Sequence, residues 1–474
     1  MKSPPLTMLI KAASAVILFS SSLFFNFYLP QTPGRMALPT ADLIGRLSIW
    51  RWIAALPLTV ISSSYGVALL LTGFVLAAFF AYTVAIILQW NRMATGRGIV
   101  FVFVTSVILF SLSVLALPNF NNDIYNYILR GRLAAKYNVN PYVVAADQFE
   151  HDPVHPYANP QYTHDPGGKL PLWMHFNRIL ASLTDNSVPF MLLLYRFALL
   201  IFNLANAVLI GLVLKKINPR YLLAGLIFYA WNPVVFTSGQ SKTDTFAIFF
   251  LLLGVYLHVR EKPGIAFVLI GLSVLVKIVT LPLLLIYLGA QIRAGSLRRM
   301  VPPLVILAAV TAILYWPYWH GTATAFMHMN YALKPAESSG MMLLRQILKV
   351  VFVAVVLTLA WWQNGMTGRL LLGWTLAFLY LAVLLINFAF SWYLINLVAI
   401  AGLMGKYRYV LITTVICMFS FFYNCWYMTY SSDFHVREIY TIPNILIYIL
   451  LPITALVTGL ALVSWQRRKQ LAGD

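Results

Sequence analysis

Residues 99–117, IVFVFVTSVILFSLSVLAL, run for 19 positions without a charge, and residues 118–142, PNFNNDIYNYILRGRLAAKYNVNPY, follow with Asp123, Arg130 and Arg132. As a helix, the first stretch reaches about 28 Å, close to the thickness of a bilayer's hydrocarbon core. The second stretch puts an acid at the edge of that run. Charge at a membrane face is costly, and it usually marks a site.

The same pattern extends through the chain. Of its 474 residues, 61% are apolar and 10% are charged, against about 25% charged in a soluble domain. Apolar runs recur at 8–29, 65–90, 99–117, 187–214, 221–237, 244–259, 264–276, 279–292, 301–316, 342–361, 370–388, 393–405, 409–427 and 441–464. The fold class expected is all-α: one integral membrane domain over 1–474 with about 12–14 transmembrane or half-membrane helices. The short alternating segments of a β-barrel are missing. The run 8–29 is long for a signal peptide and reads as the first span. Cys417 and Cys425 lie in an apolar run and read as core residues rather than as a disulfide or metal framework.

Charge sets the orientation. With the N-terminus inside, 18 of the 33 basic residues fall in very short inner segments, among them Lys215, Lys216, Arg220, Arg260, Lys262, Arg293, Lys406 and Arg408. Of the 13 acids only Glu261 and Asp474 join them. This is the positive-inside pattern, so the net charge of +20 is a topology signal and not a nucleic-acid surface. The acids and the long loops mark the outer face as the chemical one. The longest polar segment, 119–186, lies there, and residues 169–183 read as an interfacial helix carrying Trp173, His175 and Arg178. The run 264–292 has basic flanks on both sides, so it must enter and return, with Lys277 at its outer turn. The run 370–405 does the same around Phe390-Ser391-Trp392-Tyr393. Short helices meeting at membrane depth line a protein cavity. The inner loops are too short for a nucleotide-binding domain and no P-loop is present, so an activated substrate has to come from the membrane.

If 122–135 is helical, Asp123, Asn126, Tyr127, Arg130 and Ala134 share a face. A carboxylate there can take the proton of an attacking hydroxyl, and a guanidinium can hold a phosphate. The plainer reading of the same residues is a helix cap and a snorkelling arginine.

Asp123-Ile124-Tyr125-Asn126-Tyr127, Gly131-Arg132 and Asn140-Pro141-Tyr142 resemble the D-x-Y-x-Y…G-R…N-P-Y signature of GT-C glycosyltransferases, in particular polyprenol-phosphate-mannose-dependent mannosyltransferases. Lys169-Leu170-Pro171-Leu172-Trp173, Trp231-Asn232-Pro233 with Asp244, Gly271-Leu272…Val276-Lys277 and Phe390-Ser391-Trp392-Tyr393-Leu394 are similar to later family elements, in the same order. The chain departs from the family in three places. Lys169 stands where a tyrosine is usual, Arg130 where an acid is usual, and Ser241-Lys242-Thr243 precede Asp244.

The resemblance implies an inverting transferase that moves a sugar, mannose first, from a polyprenyl-phosphate donor to a hydroxyl acceptor on a glycan, lipid or protein. Asp123 is the expected base, with Asp42 and Asp244 as alternatives. Arg130, Arg132, Lys277, Arg345 and Arg437 are candidates for the donor phosphate. Tyr127, Tyr142, His164, Trp173, Trp392 and Tyr393 are candidates for sugar or acceptor contacts. No cofactor is required. The histidines His151, His155 and His164 match no metal-ligand spacing, and no metal site is expected. The expected location is a bacterial inner membrane with the site facing the periplasm or exterior. A second reading, a transporter or flippase of a lipid-linked sugar, shares the basic residues and interrupted helices. It calls for inverted repeats, and none is visible.

Overall fold

The computed structural model describes residues 6–23, 64–90, 92–115, 123–167, 169–295, 297–321 and 391–430. Asp42, Arg345, Arg437, Phe390 and the runs 342–361, 370–388 and 441–464 lie outside the described residues. The chain is an all-α polytopic membrane protein. Its helices are α1 (Leu6–Leu23), α2 (Ser64–Gln89), α3 (Gly96–Leu115), α4 (Asp123–Ala135), α5 (Pro171–Ser182), α6 (Val188–Ile217), α7 (Leu222–Ala230) and α8 (Pro233–Ser238). They continue with α9 (Asp244–Val259), α10 (Pro263–Val276), α11 (Leu281–Arg293), α12 (Leu297–Tyr315), α13 (Leu394–Met404) and α14 (Tyr407–Tyr430).

Among the described residues, Gly96–Leu115, Val188–Ile217 and Arg298–Tyr318 are long and apolar enough to cross a membrane singly. Their outward side chains are greasy; Val100, Phe197, Ile201 and Ile313 are all largely exposed. That is the surface hydrocarbon requires.

The expected span 221–237 is not one rod. It breaks between α7 and α8 and bends by 43°. Pro233 has no N–H to continue the ladder, and Asn232 caps the new helix by accepting from Val234 N at 3.0 Å. The Phe228 carbonyl at the break takes a 2.8 Å bond from Tyr82 Oη on α2. Asn232 Nδ2 in turn donates to that phenol at 3.0 Å. A broken helix at this depth is stable because a neighbouring helix satisfies its freed groups.

The run 264–292 breaks at Lys277, where the sequence places a turn. Helix α9 starts at Asp244 and ends beside Arg260; α10 starts after Lys262 and ends at Lys277. Helix α11 ends on Arg293, and α13 runs from Trp392-Tyr393 to the Lys406 turn. Each of these helices has one end at a basic loop and the other at a shared polar cluster. They are 11–16 residues long, about 17–24 Å, too short to cross alone.

Helix α4 is amphipathic and almost wholly enclosed, lying against α5 and α6. Gly131 is the point of closest approach. A Cβ there would stand 2.6 Å from Tyr195 Oη and 2.7 Å from the Asn177 carbonyl oxygen. Those two atoms bond to each other at 2.8 Å, so neither yields easily. Gly131→Ala is therefore expected to cost about 1–3 kcal/mol by overpacking. Thermal unfolding of the detergent-solubilised protein would read this, and an unchanged midpoint would contradict the contact.

Candidate active site

The polar cluster is assembled from five segments. Asp123 opens α4, and Lys242 and Asp244 flank the start of α9. Lys277 fills the α10–α11 break, Trp392, Tyr393 and Asn396 come from the start of α13, and Lys169 precedes α5. Two carboxylate–ammonium pairs form its centre. Lys242 Nζ donates to Asp123 Oδ2 at 2.9 Å. Lys277 Nζ donates to both oxygens of Asp244, at 2.7 and 2.6 Å, and Asn396 Nδ2 adds a third bond at 2.6 Å. Each lysine also faces an aromatic ring. Lys242 lies 3.7 Å from the centroid of Trp392, and Lys277 lies 4.5 Å from that of Tyr393. An ammonium over a π-face is stabilised by the ring quadrupole, more so when water is excluded.

The two acids are not equivalent. The side chain of Asp244 is 1% exposed, whereas that of Asp123 is 19% exposed. Asp244 is enclosed by three charge-assisted or amide bonds, the arrangement of a carboxylate that organises a site. Asp123 remains reachable from outside while Lys242, itself 2% exposed, fixes its orientation. A base has to be reachable by the hydroxyl it serves.

Other candidates take different places. Arg132 is 2% exposed and donates Nε to Asp152 at 2.7 Å, with further bonds to the Asp185 carbonyl and to Asn186 Oδ1 at 2.9 Å each. It ties α4 to the loop residues Asp152, Asp185 and Asn186. The donor-phosphate candidate Arg132 thus has its guanidinium enclosed by loop acceptors. Tyr142 is fully buried, donates to the Lys169 carbonyl at 2.7 Å and stands edge-on to Tyr318. Trp173 is 1% exposed, edge-on to Tyr127 and close to Phe246. Each of these two rings, candidates for sugar or acceptor contacts, is covered by its neighbours. His164 is 71% exposed and meets Asp147 at 2.8 Å in the loop. Arg130 is buried and holds the Tyr162 carbonyl at 2.9 Å, on the same side of α4 as Asp123. Among the described residues no group of three or more His, Cys, Asp or Glu side chains is gathered as metal ligands.

Sequence reasoning missed Asn396, which lies two residues beyond the Phe390–Leu394 element in an otherwise apolar run. It also gave no role to Lys169 or Lys242. Their signal was visible as departures from the family pattern at both positions.

Helix α3 carries the chain toward Asp123, and its C-terminal end is fixed from α6. Arg196, buried in the span, donates to the carbonyls of Ser113 and Val114. A cation on the last carbonyls of a helix satisfies groups that have no partner within it.

No curated protein and no solved structure matches the chain. A family sequence model does match. The one described as alpha-(1->6)-mannopyranosyltransferase, N-terminal domain, covers residues 36–293, more than half of the chain. That range holds Asp123, Lys169, Lys242, Asp244 and Lys277, the acids and lysines of the cluster. With the helical membrane fold and the paired acids and lysines, the match assigns the chain to this GT-C-type family of mannosyltransferases, to which it belongs.

Proposed function

We propose that the protein transfers mannose from a polyprenyl-phosphate donor to a hydroxyl, with inversion, at the outer face of the membrane. The observation that carries this reading is Asp123. It is the reachable acid of the cluster, held by Lys242 and set beside a second, enclosed acid–lysine pair. Asp123 accepts the proton of the acceptor hydroxyl as its oxygen attacks the anomeric carbon. The bond from that carbon to the phosphate oxygen breaks, and its electron pair leaves on the phosphate. Cations preset in a dry site favour that developing charge.

Two further observations support the donor and the face. The inner segments carry basic turns at Arg260–Lys262, Arg293 and Lys406–Arg408, and the helices that end there bring their other ends to the cluster. By the positive-inside rule the cluster faces outward, away from cytosolic nucleotide-sugars. The family's printed linkage is alpha-(1->6). Inversion to an α-linkage calls for a β-configured donor, and the acceptor oxygen is the C6 hydroxyl of a hexose in a glycan or glycolipid.

The test is purified full-length protein supplied with a mannoside acceptor and either polyprenyl-phosphate-mannose or a nucleotide-mannose, labelled in the sugar. Transfer is expected from the lipid donor alone, with release of polyprenyl phosphate. Transfer from the nucleotide donor would overturn the reading. Movement of the lipid donor across a vesicle without cleavage would point to a carrier instead.

A further inference from the structure

Lys169 is the one lysine of the cluster with no carboxylate partner among the described residues. Lys242 and Lys277 are each matched by an aspartate, yet Lys169 is half-buried in the same place. Its ammonium sits 5.9 Å from the centroid of Tyr127, and it is within electrostatic reach of Lys277, Asp123, Asp244 and Arg130. Its backbone is fixed as well. The Lys169 carbonyl accepts from buried Tyr142 Oη, and α5 begins two residues later with Pro171. The backbone that carries the side chain is thus held in place, and among the described residues no carboxylate pairs with its ammonium.

The charges of the cluster sharpen the point. Two acids, Asp123 and Asp244, face four cations: Arg130, Lys169, Lys242 and Lys277. Among the described residues the site thus carries positive charge in excess, and a ligand anion is the natural complement. A lipid-phosphate sugar carries one negative charge on its phosphodiester. Cleavage turns it into a phosphomonoester carrying about −1.5 to −2 at neutral pH. The excess therefore matches the departing phosphate better than the intact donor, which is how a site favours the transition state.

We propose that Lys169 binds the phosphate of the prenyl-phosphate leaving group. This rests on the lipid-phosphate reading of the site. Lys169 forms its ion pair as the bond to the sugar breaks, while Lys277 and Arg130 stand around the same anion. The centroid of the Tyr127 ring lies 5.9 Å from the ammonium.

A pH limit follows. Burial, and next the ammonium of Lys277, lower Lys169 to about 8, while Asp123 and Asp244 raise it and Arg130 lowers it further. The charged form binds phosphate, so binding is present at pH 7 and is lost as pH rises through about 8. Arginine does not deprotonate in this range.

The experiment is isothermal titration of the purified full-length protein with farnesyl phosphate, with farnesol as the uncharged control. Lys169→Met is expected to weaken farnesyl phosphate by about tenfold to a hundredfold and leave farnesol unchanged. Lys169→Arg is expected to restore affinity and carry binding to higher pH. Equal affinity in Lys169→Met, or the parent's alkaline limit retained in Lys169→Arg, would overturn the proposal. Should Lys169→Met fail to fold, the pH limit of Lys169→Arg decides alone. Titration is independent of turnover. Parent protein that binds farnesyl phosphate through Lys169 yet transfers no mannose would refute the functional reading and leave this one standing. Transfer that is indifferent to Lys169 would do the reverse.

Discussion

Asp123→Asn is expected to lower mannosyl transfer about a thousandfold while leaving the protein folded in the membrane, in the range typical of removing a general base. A thousandfold is about 4 kcal/mol of barrier. The asparagine keeps the size of the side chain and an oxygen that can still accept from Lys242 Nζ. It cannot take a proton from the acceptor. The stability change is expected to be much smaller than the kinetic one, because Asp123 is the more exposed of the two acids and Lys242 keeps its seat over Trp392. Initial rates with labelled lipid-phosphate mannose measure the first effect and thermal unfolding in detergent the second. Asp42→Asn belongs in the same series, since Asp42 is the competing acid read from the sequence. Near-parent rates in Asp123→Asn together with a collapse in Asp42→Asn would move the base to Asp42.

The Asp244–Lys277 pair should respond in the opposite sense, through stability first. Removing Lys277 as Lys277→Met leaves a carboxylate that is 1% exposed and, among the described residues, hydrogen-bonded only by the Asn396 amide. Breaking a buried pair in this way costs about 3–5 kcal/mol. The unfolding transition should fall sharply, and activity should fall with it. The double variant Asp244→Leu with Lys277→Met removes both charges and replaces them with apolar volume. It is expected to regain most of the lost stability, because apolar replacements of buried pairs are often neutral or better. Transfer should stay lost, since the α10–α11 break no longer presents its cation. A Lys277→Met protein as stable as the parent would show that the pair does not hold these helices together.

The membrane fold was legible because hydrocarbon imposes a simple code. Apolar runs at 99–117, 187–214 and 244–259 became α3, α6 and α9 with ends displaced by a few residues at most. The break at Lys277 was legible too, because basic residues at both flanks forced the run to turn. The break at Trp231-Asn232-Pro233 was not read from the run 221–237. That run is apolar nearly throughout, and the groups that make a bend tolerable, Tyr82 above all, come from a helix about 150 residues away in sequence. Hydropathy sees the segment and not its neighbour.

The site divides in the same way. Asp123, Lys277, Trp392 and Tyr393 stood out by charge or motif at predicted turns, and they meet in the cluster. Their partners did not stand out. Lys242 lies 119 positions from Asp123 and Asn396 lies 152 from Asp244, so only the assembled fold pairs them. Arg132 shows the same limit. Beside a glycine in a family motif it read as a phosphate ligand, yet the loop supplies Asp152 and Asn186 to enclose it. An arginine's partner is a tertiary fact, and the sequence shows only the arginine.

The most direct measurement is the anomeric configuration of the product. Purified protein is given β-configured polyprenyl-phosphate-mannose and a mannoside acceptor, and the new glycosidic linkage is read by proton NMR. An α-linked mannose at C6 of the acceptor, formed as polyprenyl phosphate is released, is the expected result. A β-linked product would mean retention and a covalent step, and would contradict direct attack assisted by Asp123.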